Sequence, residues 1–535
     1  MSIRISSLRL ERPMDDPIRT EIMKHRLVSV AEEMGARLQR AAFSPNIKER
    51  CDFSCAVFDA SGNLVAQAAH IPVHLGAMPL SVQACLDTLT FFPGDVAMVN
   101  DPYRGGTHLP DITVVSPIFV EQDTTQTLLG FVANRAHHAD IGGMSAGSMP
   151  LSQEIFQEGL IIPPVKVMVG GKNNEDVWRL LMANVRTPEE RSGDLQAQLA
   201  ANHIGIERMQ SLTKRFGIST LLEDMDALLR YSERMTGQLM SQLPLGCYRF
   251  EDALDNDGFS EEPAIIRVAI TIDEEEATVD FSGTDVQRPG SINAVYPVTL
   301  SAVAYVFRCV LGLDIPANSG CLRPIRIIAP EGTLVNARRP AAVAAGNVET
   351  SQRIVDVLLG ALAQACPGRI PAASQGTMNN ITIGGWDERH GRPFAYYETI
   401  GGGMGAGPHA DGVSGRHSHM TNTLNTPVEA LEYAYPFRIS RYALRGGSGG
   451  NGQHQGGDGL VREYEFLQPA EITLLTDRQV TRPYGLAGGE PGQPGRIGLQ
   501  QNGVEQDLPG KCSIPVQKDD VLTIETPGGG GYGKP

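Results

Sequence analysis

Glycine constrains this chain more than any other residue does. It fills 59 of 535 positions, about 11% where about 7% is usual, and most of the excess falls in the second half. A residue without a Cβ serves tight turns and close backbone approaches and weakens helix interiors, so a helical bundle is excluded and a loop-rich, strand-rich architecture is expected. At 535 residues the chain has room for roughly two to four domains. Hydrophobic residues at 41%, charged residues at 20% and a mean hydropathy of −0.15 place it with ordinary globular proteins rather than disordered ones.

With 45 Lys and Arg against 61 Asp and Glu the net charge is −16. A surface of that sign repels nucleic-acid phosphates unless basic residues cluster, and no such cluster is present, so no nucleic-acid partner is expected. No run approaches the roughly 18 apolar residues of a membrane span, and the opening MSIRISSLRLERPMDD lacks the apolar centre of an export signal. The 8 cysteines are scattered without a CxxC pair, which argues against a disulfide framework and against a thiolate zinc site. A cytoplasmic location follows as the expectation.

An acidic start with Pro17 opens a helix that runs to about Phe43, with Met23, Leu27, Val30, Met34 and Leu38 at helical spacing. CDFSCAVFD and LVAQAAH flank a turn and read as a hairpin; a second helix is expected over 78–91. Strands at 95–99, 112–120 and 128–136 each end in a polar loop rich in glycine or histidine. Residues 174–242 read as two or three helices, 246–283 as strands, and 298–311 and 350–366 as helices; short strands at EYEFL, EITLL and VLTIE precede the closing TPGGGGY. The fold class is therefore α+β and multi-domain: an N-terminal metal-site domain (1–170), a helical spacer (171–245), a mixed α/β domain (246–443) and a Gly-rich, β-containing C-terminal region (444–535).

The densest grouping of ligand-type side chains lies in NDPYRGGTHLPD, from Asn100 to Asp111, and in NRAHHAD, from Asn134 to Asp140. Pro110 disfavours helical backbone at Leu109, so His108 and Asp111 sit on a bent loop from which both can turn toward one point. Imidazole and carboxylate suit zinc, manganese or iron. His137 and His138 are adjacent at a strand end, where neighbouring side chains face opposite ways, so one of them joins His108 and Asp111. His138 is taken as the ligand and His137 as the acid/base or supporting residue. The bland alternative is that these histidines only satisfy buried loop carbonyls; several His and Asp residues closing two consecutive strands weigh toward a metal. Glu49 and Asp52, at the start of the first hairpin strand, compete to add a carboxylate.

A second grouping, His409, Asp411, His417 and His419, sits among glycines, and His417 and His419 would share a face if extended. A loop lining a substrate pocket is the favoured reading. Nucleotide signatures fail: Gly447 to Gly452 match GxGxxG but no helix can follow NGQHQGGDG, and Gly170-Gly171-Lys172 lacks the rest of a phosphate loop. Cys51 and Cys55 read as core rather than as nucleophiles.

The stretches SPNIKERCDFSCAVFD, HIPVHLGAMP, PGDVAMVNDPYRGGTHLPDI, ANRAHHADIGG, DFSGT, HMTNTLNTPVEALE and TPGGGGYG resemble the B-type subunit of the hydantoinase/oxoprolinase family, which also has relatives among acetone and acetophenone carboxylases. The resemblance implies a divalent metal, zinc, manganese or iron, at Glu49, His108, Asp111 and one histidine of the His137–His138 pair, with Asp52 as a rival for the carboxylate. It implies a separate hydantoinase A-type ATPase subunit that binds ATP and phosphorylates the amide or ketone oxygen. The B-type subunit would then open a small cyclic amide, a hydantoin, 5-oxoproline or another lactam, with His137 or Asp101 moving the proton and Arg104 or Arg135 meeting the departing phosphate. His409, His417 and His419 stand as substrate-pocket candidates. The complex would be a hetero-oligomer with two or more copies of each subunit. The competing readings are a ketone carboxylase subunit and a noncatalytic scaffold for the ATPase.

Overall fold

A computed structural model of the chain describes residues 17–68, 70–122, 125–312 and 315–535. The acidic residues expected to open the first helix, Asp15 and Asp16, lie outside the described residues. Helix α1 (Pro17–Ala41) buries the five apolar positions read from its spacing, Met23, Leu27, Val30, Met34 and Leu38. A single turn, α2 (Pro45–Lys48), leads into the expected hairpin of β1 (Phe53–Asp59) and β2 (Leu64–Gln67). After α3 (Ala77–Thr88) come β3 (Val96–Val99), β4 (Asp111–Gln122), β5 (Thr125–His137), β6 (Val165–Val169) and β7 (Lys172–Asn173). Together they form one antiparallel sheet in the order β2-β1-β5-β4-β3-β6-β7.

Alternation along the strands gives this sheet two different faces. Cys55, Val57, Val132 and Ala136 pack under α1, and Ala56, Phe58, Val115 and Phe131 pack under α3. Three helices follow in the region where two or three were expected: α4 (Glu175–Met182), α5 (Pro188–Phe216) and α6 (Ile218–Met240). Helix α5 does more than connect. It lies on the α1 face, where Gln198 and Asn202 exchange hydrogen bonds with Asn134 of β5.

A second sheet is built from β8 (Gly246–Leu254), β9 (Ala264–Ile272) and β10 (Ala277–Asp280); after α7 (Tyr296–Leu311), β11 (Ile325–Ile328) joins it parallel to β10. In β9 every second residue from Ala264 to Ile272 is buried, against α8 (Ser351–Ala365) and α7. The remaining elements are β12 (Asn380–Asp387), β13 (Arg392–Glu398), α9 (Val428–Ala434), β14 (Phe437–Arg445), β15 (Gly459–Phe466), β16 (Ala470–Leu475), β17 (Arg496–Gln501), β18 (Val504–Asp507), β19 (Lys511–Val516) and β20 (Val521–Glu525). Two sheets, β13-β12-β16-β19 and β14-β15-β20-β17-β18, share an apolar core that includes Ile381, Tyr396, Tyr464, Ile472 and Leu522. The architecture is α+β, with several sheets, as the sequence implies. Among the described residues no helix is long and apolar enough to cross a membrane.

Buried charges tie these parts together. Asp477 accepts from Arg353 at 3.0 Å and from Lys511 at 2.7 Å, while Arg478 donates to Asp252 at 2.6 Å and to Asp356 at 2.7 Å. The glycine-rich segment after β20 runs through a narrow slot between other backbones. Gly529 N donates to Gly457 O at 2.9 Å, Gly530 N to Ala373 O at 2.8 Å, and Ala406 N to Gly530 O at 2.9 Å. A Cβ on Gly529 would lie 2.0 Å from the carbonyl oxygen of Met404, so no larger residue fits there.

Candidate metal centre

The loop before β4 is folded onto itself by side chains from its own start. Asp101 accepts from Tyr103 N at 3.0 Å, and Asn100 donates to Leu109 O at 2.8 Å while accepting from Ile162 N at 2.6 Å. His108 is thereby turned inward and fully buried. Asp111 then opens β4 directly opposite His137, the last residue of β5. Residues in register across a pair share a face, so the Asp111 and His137 side chains meet.

Three atoms form a nearly equilateral triangle. His108 Nε2 lies 3.2 Å from His137 Nδ1, and Asp111 Oδ1 lies 3.3 Å from each nitrogen. Ligands of a tetrahedral zinc with bonds of about 2.0–2.1 Å are about 3.3–3.4 Å apart, so the spacing fits one face of such a site. The three residues form the one group of convergent His, Cys, Asp and Glu ligand atoms found among the described residues.

The surroundings orient each donor toward the triangle. Asp111 Oδ2 is engaged by Thr107 Oγ1 at 2.5 Å and faces His74 Nε2 at 3.4 Å, which leaves Oδ1 without a directed hydrogen bond. His74 is itself fixed by Ser54 Oγ at 2.8 Å. His108 Nδ1 faces Ala344 O at 3.3 Å, so Nδ1 carries a proton and the neutral ring has its lone pair on Nε2. The His137 ring is stacked on Tyr397 at 4.4 Å and 18°. Burial acts to raise Asp111, but the facing His108 and His74 imidazoles hold it well below the usual carboxylate range; burial likewise opposes charge on His108, and Asp111 outweighs it. Two imidazole nitrogens and a carboxylate oxygen aimed at one buried point are a donor set that suits a divalent cation.

His138 is placed elsewhere. One residue beyond His137, it falls on the opposite face, where its Nε2 meets Gln198 Oε1 of α5 at 2.9 Å, and burial pushes it down to about 4. Of the pair it is His137, not the expected His138, that stands in the triangle, because Asp111 is its register partner. Of the two competing carboxylates, the charge of Asp52 reaches both His108 and His137, and its carbonyl accepts from His137 N at 3.0 Å. Glu49 ends α2, where its backbone N–H donates to Pro45 O and its side chain is half-buried.

The remaining candidates divide. Arg135 is buried on the face of Asp111 and donates to Thr113 Oγ1 at 2.8 Å and to Ser81 Oγ at 2.7 Å; burial pushes it down to about 10, against the charge of Asp111. Arg104 is exposed, in a surface hollow with Leu80, Tyr296 and Glu331, and does not reach the triangle. Asp101 is a buried cap of the loop. His409 is exposed, and Asp411 accepts from Gln455 N. His417 and His419 do not share a face, because His419 takes a left-handed backbone (φ 57°) that ends any extended run. His417 lies near Arg50 and Asn425, and burial pushes it down to about 4; His419 meets Tyr305.

Sequence reasoning missed His74, Tyr397, Asn347 and Glu158. His74 stands in the quoted HIPVHLG stretch and carried a local signal. Asn347 Nδ2 reaches His108 Nε2 at 3.1 Å, and Glu158 Oε1 accepts from Val343 N at 2.8 Å and Ala344 N at 2.9 Å, contacts that only the tertiary fold creates.

Residues 16–535 match the model of the Hydantoinase B/oxoprolinase family. A protein of Methanocaldococcus jannaschii is 43% identical over 97% of this chain and 91% of its own length. The 5-oxoprolinase 1 of Arabidopsis thaliana is 41% identical over 99% of this chain, which spans only 42% of that relative. Among solved structures, the ATP-dependent caprolactamase from Pseudomonas jessenii superposes with a TM-score of 0.90 at 29% identity, covering 97% of this chain and 92% of that one.

Proposed function

This chain belongs to the hydantoinase B/oxoprolinase family, and from that premise we propose that it is the metal-dependent, ring-opening subunit of an ATP-dependent cyclic amide hydrolase. The substrate class is a hydantoin, 5-oxoproline or other lactam whose amide oxygen a separate ATPase chain has phosphorylated. The observation that carries the reading is the triangle of His108 Nε2, Asp111 Oδ1 and His137 Nδ1. The division of labour is supported by the longer 5-oxoprolinase, of which this chain covers 42%. Gly170 and Gly171, moreover, form the tight turn between β6 and β7 and open no phosphate-binding helix.

A divalent ion held there would supply Lewis acidity toward an acyl or phosphoryl oxygen and a water-derived nucleophile at neutral pH. The protein's own part is orientation and exclusion of water. Thr107 and His74 fix Asp111, Ala344 O fixes the His108 tautomer, and the Tyr397 ring closes the far side of His137. Asp52, whose charge bears on both His108 and His137 although its carboxylate lies outside the convergent group, is the carboxylate that would complete the donor set around an ion. Arg135, rather than the exposed Arg104, keeps a positive charge near the site. All 8 cysteines are free thiols, which suits a reducing cytoplasm.

The test is ion content by mass spectrometry on the native protein and on His108→Ala/Asp111→Ala, followed by ATP-dependent lactam turnover in a reconstituted complex with the ATPase subunit. About one divalent ion per chain, lost together with turnover in the double variant, is expected. Turnover that survives His108→Ala would leave only the scaffold role. ATP-dependent consumption of a ketone and bicarbonate, with lactams untouched, would replace hydrolysis by carboxylation.

A further inference from the structure

The wall facing the triangle is a short π-helical segment, Gly346–Thr350, an arrangement that recurs at functional sites. It is firmly seated. Ala345 N donates to Ser291 O at 2.9 Å, Ser351 Oγ to Asn347 O at 2.7 Å, and a Cβ on Gly346 would lie 1.8 Å from Asn293 O. Just ahead of it, Glu158 gathers the N–H groups of Val343 and Ala344. This seating aims one polar side chain, Asn347, 4% exposed, at His108. Its Nδ2 stands 3.1 Å from His108 Nε2, and its Oδ1 has no hydrogen-bond partner.

With the His108 proton on Nδ1, the Nε2 lone pair is the acceptor for the Asn347 amide, and the same lone pair is the one a cation would take. Were it taken, the amide N–H would be a buried donor without an acceptor, an arrangement that folded proteins rarely leave uncompensated. The acceptor that would replace Nε2 is a substrate oxygen brought beside the triangle, its acyl or phosphoryl oxygen. We propose that Asn347 is a catalytic residue whose Nδ2–H donates to that oxygen as negative charge develops on it. The inference rests on the metal-centre reading and assigns a role to a residue outside the triangle.

The test uses the full chain, reconstituted with its ATPase subunit, as native protein and as Asn347→Leu and Asn347→Asp, two substitutions close to asparagine in size that cannot donate. Divalent-ion stoichiometry and affinity are measured by dialysis and titration with zinc and with manganese, and kcat and KM on whichever of hydantoin, 5-oxoproline and caprolactam turns over. Both variants are expected to keep the ion at native affinity or tighter, because the competing donor is gone, and to lose about a hundred-fold or more in kcat with KM within threefold. Loss of the ion in Asn347→Leu with retention in Asp would make the residue a ligand and overturn the proposal. Parallel losses in melting temperature and ion affinity would make it structural, and an unchanged kcat would leave it no role in the reaction. A native protein that takes up neither ion, or turns over none of the three lactams, overturns the underlying reading as well and is recognised before any variant is made.

Discussion

Asp111 and His137 are register partners across β4 and β5, and the Oδ1 of one stands 3.3 Å from the Nδ1 of the other. A slip of one residue in that hairpin would bring His138 to the site and carry His137 to α5. The register of a long hairpin thus decides which of two adjacent, chemically identical side chains meets the carboxylate.

His137→Ala is accordingly expected to lose the divalent ion, whereas His138→Ala keeps it. The second variant leaves Gln198 Oε1 without its partner at 2.9 Å and is destabilised by about 1–3 kcal/mol. Ion content and thermal melting, measured on both, separate the two roles; ion loss in His138→Ala alone would reverse the assignment.

Glu158 acts at one remove. Its Oε1 receives Ser152 Oγ at 2.8 Å as well as the Val343 and Ala344 amides, and Ala344 in turn presents its carbonyl to His108. Glu158→Gln retains the accepting oxygen and is expected to hold the ion nearly as tightly as the native chain. Glu158→Ala strands three buried donors and is expected to weaken ion affinity by about tenfold or more, read by titration.

Acid sensitivity follows from His70, whose Nδ1 accepts from Cys55 N at 3.1 Å and must therefore stay unprotonated. Burial, with the neighbouring His74, pushes it down to about 4 from an ordinary value of 6.5. The unfolded chain takes the proton first, so this contribution, about 1–3 kcal/mol, is present above pH 6.5 and is lost as pH falls from about 6.5 to about 4. His70→Asn keeps an acceptor without the titration, and chemical denaturation across that range is expected to give a flatter profile than for the native chain.

Asp477 offers a test of the buried charges. Asp477→Ala leaves Arg353 and Lys511 without their shared carboxylate and is expected to cost about 3–5 kcal/mol in denaturation experiments. Ion content at native temperature is unchanged if the network serves only to join β8, α8 and β19.

What could be read from the sequence was local. The five-residue apolar stripe of α1 and the His108-x-x-Asp111 loop are set by neighbours in the chain, and both are found as read. The choice between His137 and His138 was not legible, because it depends on a pairing offset that no single strand encodes. The common face expected of His417 and His419 fails because one left-handed residue redirects the chain. Tyr397, Asn347 and Glu158 come to the site from distant segments, and nothing in their own surroundings marks them.

The slot that receives residues 526–533 orders events during synthesis. Its walls, at 372–375, 403–406 and 448–457, leave the ribosome well before the strip that fills them, and until then the carbonyls of Ala373 and Gly457 lack the amides of Gly530 and Gly529. From the emergence of the 448–457 wall to that of 526–533 the seam is unfinished. A chain cut just after β20 would keep the strands and helices named above and lack the strip that closes them.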